Sequence, residues 1–407
     1  MIYLGFEILN LRFIPKIMKQ LDEKTLIIVG STAAGKSDLA ILLAQKYNGE
    51  VISADSRQVY RGMDIGTGKV TRDKVIPHAP LSEGSWRVPE TEGWGKMQSK
   101  KKNINNTPSQ SPPFKGGEVK KIQSLFFSEG IRHHLLDVAS PKRSYNVTHF
   151  VRDAKKAITD IKKHGKIPII CGGTGFWVQA LVEDNVFPAV KPDVKLRKRL
   201  GKLSAEKLFA MLKKKDKERA ATIDAKNKVR LIRALEICES LGTVPPLRHP
   251  ELVEGSTLSL VDSSTRPPRL GEAGRLVRND KGSFLIIGIN PDKETLQKNI
   301  KIRLEKRLKK GMLAEVKHLH ADGVNWKRLE SFGLEYKNVA LFLQKKITRE
   351  AMRQNILQES IHYAKRQLSY LRRFEKMGTT IHWIADSKEA LKVVRKSTVV
   401  IPSKAEI

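Results

Sequence analysis

The sequence predicts an α/β fold: a parallel sheet carrying a phosphate-binding loop, interrupted by a small inserted helical domain and two low-complexity insertions. Three observations predict it. Short apolar runs alternate with helical patterns, as in βαβ units. The first apolar run leads straight into "GSTAAGKS", residues Gly30 to Ser37. Two stretches, 70–130 and 246–281, lose all hydrophobic periodicity and fill with Pro, Gly, Ser and charge.

The elements follow in order. Lys24–Val29 is a strand, and a helix begins after the loop and runs to about Tyr47. Glu50–Ser53 is a second strand, ending at Asp55. Lys166–Cys171 is a third, followed by Gly172-Gly-Thr-Gly175 and a helix through Leu181. Residues 191–241 are helical and strongly basic, with apolar positions at Leu196, Leu200, Leu203, Leu208 and Leu212. Ser283–Ile289 is a further core strand. Helices are expected over 293–319 and 349–376, then a last strand at 380–384 and a short terminal helix. Ligand-binding loops of such sheets lie at the strand carboxyl ends. The Gly30–Ser37 loop, Asp55 and Thr174 therefore share one edge. The domains expected are an extension at 1–22, a catalytic core at 23–186 with its insertion at 70–130, a helical domain at 187–245, the second insertion at 246–281, and a return to the core at 282–400.

Composition narrows the function. The 407 residues include 76 Lys and Arg against 43 Asp and Glu, a formal net charge of +33. Such an excess favours a polyanionic partner. Two cysteines, Cys171 and Cys238, exclude a disulfide framework or a Cys-rich zinc site and fit a reducing cytoplasm. The N-terminal "MIYLGFEILNLRF" is interrupted by Glu7 and Arg12 and has no small-residue cleavage site, so it does not read as a signal peptide. No run approaches a membrane span.

The phosphate loop is confirmed by its strand–loop–helix context. Its glycines let the chain from Gly30 through Ser31, Thr32, Ala33, Ala34 and Gly35 turn tightly, so successive N–H groups point at phosphate oxygens. Lys36 adds a fixed charge, Ser37 can ligate Mg²⁺, and the helix N-terminus adds partial positive charge. The Ile167–Cys171 strand lacks the terminal Asp that a nucleoside triphosphatase commonly uses. That leaves room for a ligand that is only a diphosphate.

The acid Asp55 opens "DSRQVYRGMDIGTGK", a stretch of polar and basic residues around one carboxylate. It suits a base read by hydrogen bonds while the acid accepts a proton. With "GSTAAGKS", "ISADSRQVYRGMDIGTGK", "HHLLDV" and "CGGTGFWVQAL" in this order, the chain resembles the tRNA dimethylallyltransferases, also called tRNA isopentenyltransferases. "KNKVRLIRALEI" and "HYAKRQLSYLRR" extend the resemblance, which covers about 24 to 384 apart from the insertions.

The resemblance implies a P-loop NTPase-like core. It also implies transfer of a dimethylallyl group from its diphosphate to N6 of the adenosine 3′ of the anticodon, with the loop holding the donor's diphosphate and not ATP. It implies that Asp55 is the general base, with Thr174 and Lys36 beside the reacting groups, and that Arg303 joins the loop in binding diphosphate. It further implies tRNA contacts from Asp55, Ser56, Arg57, Gln58 and Thr174. More would come from Lys195, from Val229, Arg230, Leu231, Ile232 and Arg233, and from Lys365 and Arg366. The partners expected are a tRNA anticodon stem-loop and dimethylallyl diphosphate, with Mg²⁺ as cofactor and a cytoplasmic monomer as the working form.

The chain departs from the family pattern at "ESFGLEYKN". Gly333 remains, but Leu334 and Glu335 stand where a Tyr and a basic residue are expected to touch RNA. Two other readings remain open at this point. One is a small-molecule or nucleotide kinase, with 191–241 as its arginine-bearing lid. The other is a non-catalytic RNA-binding protein.

Overall fold

The first strand, β1 (Thr25–Gly30), is buried along its whole length, as a strand inside a parallel sheet must be. A computed structural model describes residues 24–73, 125–185, 187–245 and 284–398. The expected N-terminal extension, most of the first insertion and all of the second lie outside the described residues.

Among the described residues, seven strands form one sheet. They are β1, β2 (Gly49–Ser53), β3 (Phe126–Ser128), β4 (Ile131–His134), β5 (Ile167–Cys171), β6 (Phe284–Ile289) and β7 (His382–Ile384). Their order is β3-β4-β2-β5-β1-β6-β7. Every pairing is parallel except β3 with β4. The central register sets Ile28 and Ser53 both opposite Cys171, so β1, β5 and β2 end together.

Alternation along each strand divides the core into two layers. Leu26, Ile28, Val51, Ile169 and Ile287 face one side, packed with helix α1 (Lys36–Lys46). Ile27, Val29, Ile52, Ile170 and Ile286 face the other, where the larger cluster lies. That cluster takes in α2 (Val147–Lys163) and α3 (Gly175–Val182). The helices α4 (Val194–Leu200), α5 (Ala205–Lys215), α6 (Lys217–Thr222) and α7 (Lys228–Leu241) surround a separate small core of Leu196, Leu200, Leu208, Leu212, Leu231 and Leu235. After β6 come α8 (Lys293–Lys309), α9 (Met312–Ala321), α10 (Trp326–Ser331), α11 (Leu334–Leu343) and α12 (Arg349–Lys376). Helix α13 (Ser387–Thr398) follows β7. Among the described residues no helix is long and apolar enough to cross a membrane.

Three differences from the sequence reading have physical causes. The span read as an insertion to residue 130 includes β3, which pairs antiparallel with β4 through Phe126 and His133. Three residues are too few to show a period. The single helix expected over 293–319 breaks at Gly311, whose φ of 103° is left-handed and starts α9. Helix α2 was not predicted. Asn146 and His149 form its capping box, and Phe150, Ala154, Ala157 and Ile161 supply its buried stripe.

Candidate active site

The site forms where β1, β5 and β2 end side by side. Backbone bonds knit the three exits together: Ala54 N–H to the Cys171 carbonyl, Gly172 N–H to Ile28, and Thr174 N–H to Ala54. The phosphate loop leaves β1, Asp55 leaves β2 and Thr174 leaves β5. The shared edge expected from the sequence is present.

Within the loop, Ala33 and Gly35 hold positive φ, at 64° and 85°, and α1 begins directly at Lys36. The unpaired first-turn amides of α1 therefore face the site. Lys36 Nζ donates to the Ser31 carbonyl at 2.7 Å, bending back across the loop. Burial lowers its pKa, as does nearby Arg303, while Cys171 and Asp55 act in the opposite direction. Lys36 and Asp55 thus sense one another across the same small space. The Ser37 hydroxyl lies in hydrogen-bonding reach of Cys171, whose thiol burial pushes up to about 11.

Asp55 does two jobs. Its Oδ1 accepts from Arg57 N–H at 2.9 Å and Gln58 N–H at 3.4 Å, capping the turn that follows β2. Among the described residues its other oxygen has no hydrogen-bond partner, so it is free to take a proton. Thr174 Oγ1 accepts from Ser56 N–H at 3.1 Å, which aims the hydroxyl proton elsewhere.

The residues after Asp55 are tied into the fold. Gln58 accepts from Ser53 Oγ at 3.0 Å and donates to the Thr67 and Gly68 carbonyls. Arg57 donates to Glu335 Oε2 at 2.9 Å and lies over the Tyr363 ring, 5.7 Å from its centroid. Glu335 also pairs with Arg307. It is 2% exposed. Burial alone would raise its pKa, but Arg57 and Arg307 hold it down. The acid read as a lost RNA contact is therefore an internal counter-ion. Arg303 belongs to the same positive cluster, but among the described residues it makes no hydrogen bond or ion pair. Burial and the adjacent Arg307 pull its pKa to about 9, so it stays charged at neutral pH. A cation buried among cations gains strongly from an incoming anion.

The expected tRNA-contact residues divide. Val229 is 79% exposed, and Arg230, Lys195, Lys365 and Arg366 are also exposed. Leu231 is fully buried in the small helical core, so it carries no contact of its own. Ile232 packs against that core. Arg233 pairs with Glu236 and donates to the Val190 carbonyl. Burial pushes the pKa of Tyr370 in α12 up to about 12, and Arg230 lies close enough to oppose that rise, which brings the start of α7 towards the site's long helix.

Four residues were missed. Besides Glu335 and Arg307, Glu315 accepts from the backbone N–H groups of Asp64, Ile65 and Gly66 and from Tyr336 Oη, fixing the "DIGTGK" turn. Gln367 spans from the phosphate loop to the Gly173 carbonyl.

The chain is similar to known proteins over most of its length. The IPP transferase family model matches residues 124–374, and the isopentenyl transferase model matches 23–78. tRNA dimethylallyltransferase 2 of Treponema denticola is 32% identical over 361 residues, 88% of this chain and 95% of that protein. tRNA dimethylallyltransferase 1 of Geotalea daltonii is 33% identical over 367 residues, 90% of this chain and 92% of that protein. The crystal structure of tRNA delta(2)-isopentenylpyrophosphate transferase from Staphylococcus epidermidis is 28% identical and covers 92% of this chain and 98% of its own, with a TM-score of 0.52. The core is thus P-loop NTPase-like, and the chain belongs to the IPP transferase family, in which its near relatives are tRNA dimethylallyltransferases.

Proposed function

We propose that this chain transfers a dimethylallyl group from dimethylallyl diphosphate to N6 of the adenosine 3′ of the anticodon in tRNA, releasing pyrophosphate. One observation carries the reading: Lys36, Asp55 and Thr174 converge from the ends of three adjacent strands. A cationic phosphate cradle and a carboxylate with a free oxygen then lie within the span of one small donor.

The chemistry follows from what each group can do. The allylic C–O bond of the donor breaks as N6 bonds to the same carbon. Negative charge grows on the departing diphosphate, and the loop amides, Lys36 and Arg303 neutralise it. An aromatic amine is a weak nucleophile because its lone pair is delocalised. Asp55 offers its uncapped oxygen to the N6 proton as the new bond forms. Thr174, whose Oγ1 already accepts from Ser56 N–H, keeps its own hydroxyl proton to donate. Arg57 is held by Glu335 and Tyr363 behind Asp55.

Mg²⁺, which prefers oxygen ligands, suits the hydroxyl that Ser37 brings to this edge. Among the described residues no cluster of His, Cys, Asp or Glu forms a metal cage. The chain's contribution would be the Ser37 hydroxyl, beside the phosphate oxygens of the donor. Such an ion would supply charge neutralisation on the leaving group.

For tRNA, the exposed cations Lys195, Arg230, Lys365 and Arg366 would track phosphates, and the target base must leave its stack, which is cheapest in an unpaired loop. We infer a cytoplasmic monomer as the working form. The kinase reading is not favoured. Two arginines of the would-be lid, Arg197 and Arg233, clasp Glu236, and the relatives that match most of the chain are tRNA dimethylallyltransferases.

The test is incubation of the full chain with labelled dimethylallyl diphosphate, Mg²⁺ and unmodified tRNA, followed by nucleoside analysis. Label on N6 of one anticodon-loop adenosine is the expected result. Absence of label from adenosine overturns the reading.

A further inference from the structure

We propose that Gln367 sets the length of the phosphate chain that the loop accepts, admitting a diphosphate and barring a triphosphate. The inference rests on the reading of the loop as a diphosphate site and adds a residue that decides its specificity.

Gln367 projects from α12 and is 7% exposed. Its Oε1 accepts from the Thr32 N–H at 2.8 Å. Its Nε2 donates to the Gly173 carbonyl at 2.8 Å. The orientation of the amide is settled by this pair of contacts. Turned over, it would set N–H against N–H and oxygen against oxygen. The side chain therefore cannot rotate to offer a donor to an anion.

The consequence lies in which loop amides remain available. A polyphosphate is held by a row of backbone N–H groups, with the helix N-terminus at one end. At that end the amides of Gly35, Lys36 and Ser37 lie at or before the first turn of α1. At the other end, Thr32 N–H is already spent on a neutral oxygen. Lys36 Nζ reaches the Ser31 carbonyl at 2.7 Å, closing the same end of the row. The Asn299 amide donates to the Ala33 carbonyl at 3.4 Å, so the crest of the loop is held from α8 as well. A third phosphate running towards Thr32 would meet a carbonyl-type oxygen in place of a donor. An oxyanion facing that oxygen loses a hydrogen bond and gains a repulsion.

The test is calorimetric binding of Mg²⁺-pyrophosphate and Mg²⁺-tripolyphosphate to the full chain and to Gln367→Ala. Wild type is expected to bind tripolyphosphate about tenfold or more weakly than pyrophosphate, one hydrogen bond's worth of discrimination. Gln367→Ala, which frees the Thr32 N–H and the space beside it, is expected to close that gap chiefly by tightening tripolyphosphate. Wild type that binds the two anions equally overturns the proposal, and so does a variant with an unchanged ratio. Should Gln367→Ala not fold, Gln367→Glu keeps the acceptor on Thr32. It must then retain the preference for pyrophosphate even as both anions weaken, and a lost preference refutes the idea. Failure of the transferase reading is a separate result: it shows as absent prenylation of tRNA, whatever the ratio of the two affinities.

Discussion

Replacing Glu335 with glutamine keeps the volume and removes the charge that holds two arginines. The carboxylate is 2% exposed and receives Arg57 at 2.9 Å on one oxygen and Arg307 on the other. Two unit charges about 4 Å apart are worth about 4 kcal/mol at an effective dielectric near 20. Removing one member of a buried ionic group costs about 3–5 kcal/mol. At about 2 °C per kcal/mol, the low end for large domains, the Tm of Glu335→Gln should fall by about 6–10 °C. Activity should fall further than stability explains. Arg57 also senses Asp55. Once released from Glu335 it has that carboxylate as its nearest anion. An arginine on the free oxygen of Asp55 blocks the proton it is there to accept, so single-turnover transfer should drop about 100-fold. Glu335→Asp, which keeps the charge on a shorter arm, should recover part of both losses. Thermal unfolding and rapid-quench transfer on the same preparations decide the matter. A Glu335→Gln variant with wild-type Tm and rate would refute this account of the cluster.

Other perturbations have outcomes fixed by the same geometry. Asp55→Asn should keep the cap through its side-chain oxygen and lose about 10²–10⁴ in transfer rate, measured with tRNA and donor both saturating. Arg303→Ala should raise the KM for the donor by about 10–100-fold, the worth of a hydrogen bond to a charged partner, while thermal stability holds or improves because a half-buried charge crowded by Arg307 and Arg57 is gone. Stability should also fall in acid, in two stages. His133, buried with Nε2 unpartnered, has its pKa pulled to about 4 by burial first and His134 second. The unfolded chain takes up this proton below about 6.5, so up to about 3 kcal/mol drains away between pH 6.5 and 4. Glu50 follows: burial opposes its ionisation, but hydrogen bonds from His134 and Lys166 hold it at about 2, so its contribution is intact above about 4.5 and is lost as pH falls towards 2. Urea midpoints at pH 7 and pH 4.5 test the first stage, and a flat profile would contradict it.

What the sequence disclosed was local, and what it hid was not. The loop, the strands and the edge they share follow from apolar runs and one motif, because a parallel sheet forces its loops to the strand ends. The counter-ion role of Glu335 was hidden because it is 278 residues from Arg57, and no period links the two. Its one visible signal was an acid beside Tyr336 in a markedly basic chain. Gln367 is still farther, 335 residues from Thr32, inside a helix whose arginines and lysines drew the eye to RNA. Leu231 shows the opposite error. A motif segment was carried over whole, although helical spacing turns every third or fourth residue inward, and Leu231 takes one of those inward places with Ala234 and Leu235.

The long helix α12 shows why the α/β core alone does not make the site. Tyr363, Gln367 and Tyr370 stand at spacings of four and three on one face of α12. They reach, in turn, Arg57, the phosphate loop with Gly173, and Gln179 of α3. The run Gly172-Gly-Thr-Gly175 looks in sequence like a flexible turn for an anion. Here its glycines have a packing cause. A Cβ on Gly173 would fall 2.2 Å from Gln367 Nε2, and one on Gly175 would fall 2.5 Å from the Tyr370 ring. Those positions are bare so that α12 can close down on the strand ends. The phosphate loop, Asp55 and the turn bearing Thr174 are therefore held in register by a helix more than 300 residues downstream of the loop. The candidate site is complete only when that helix has docked.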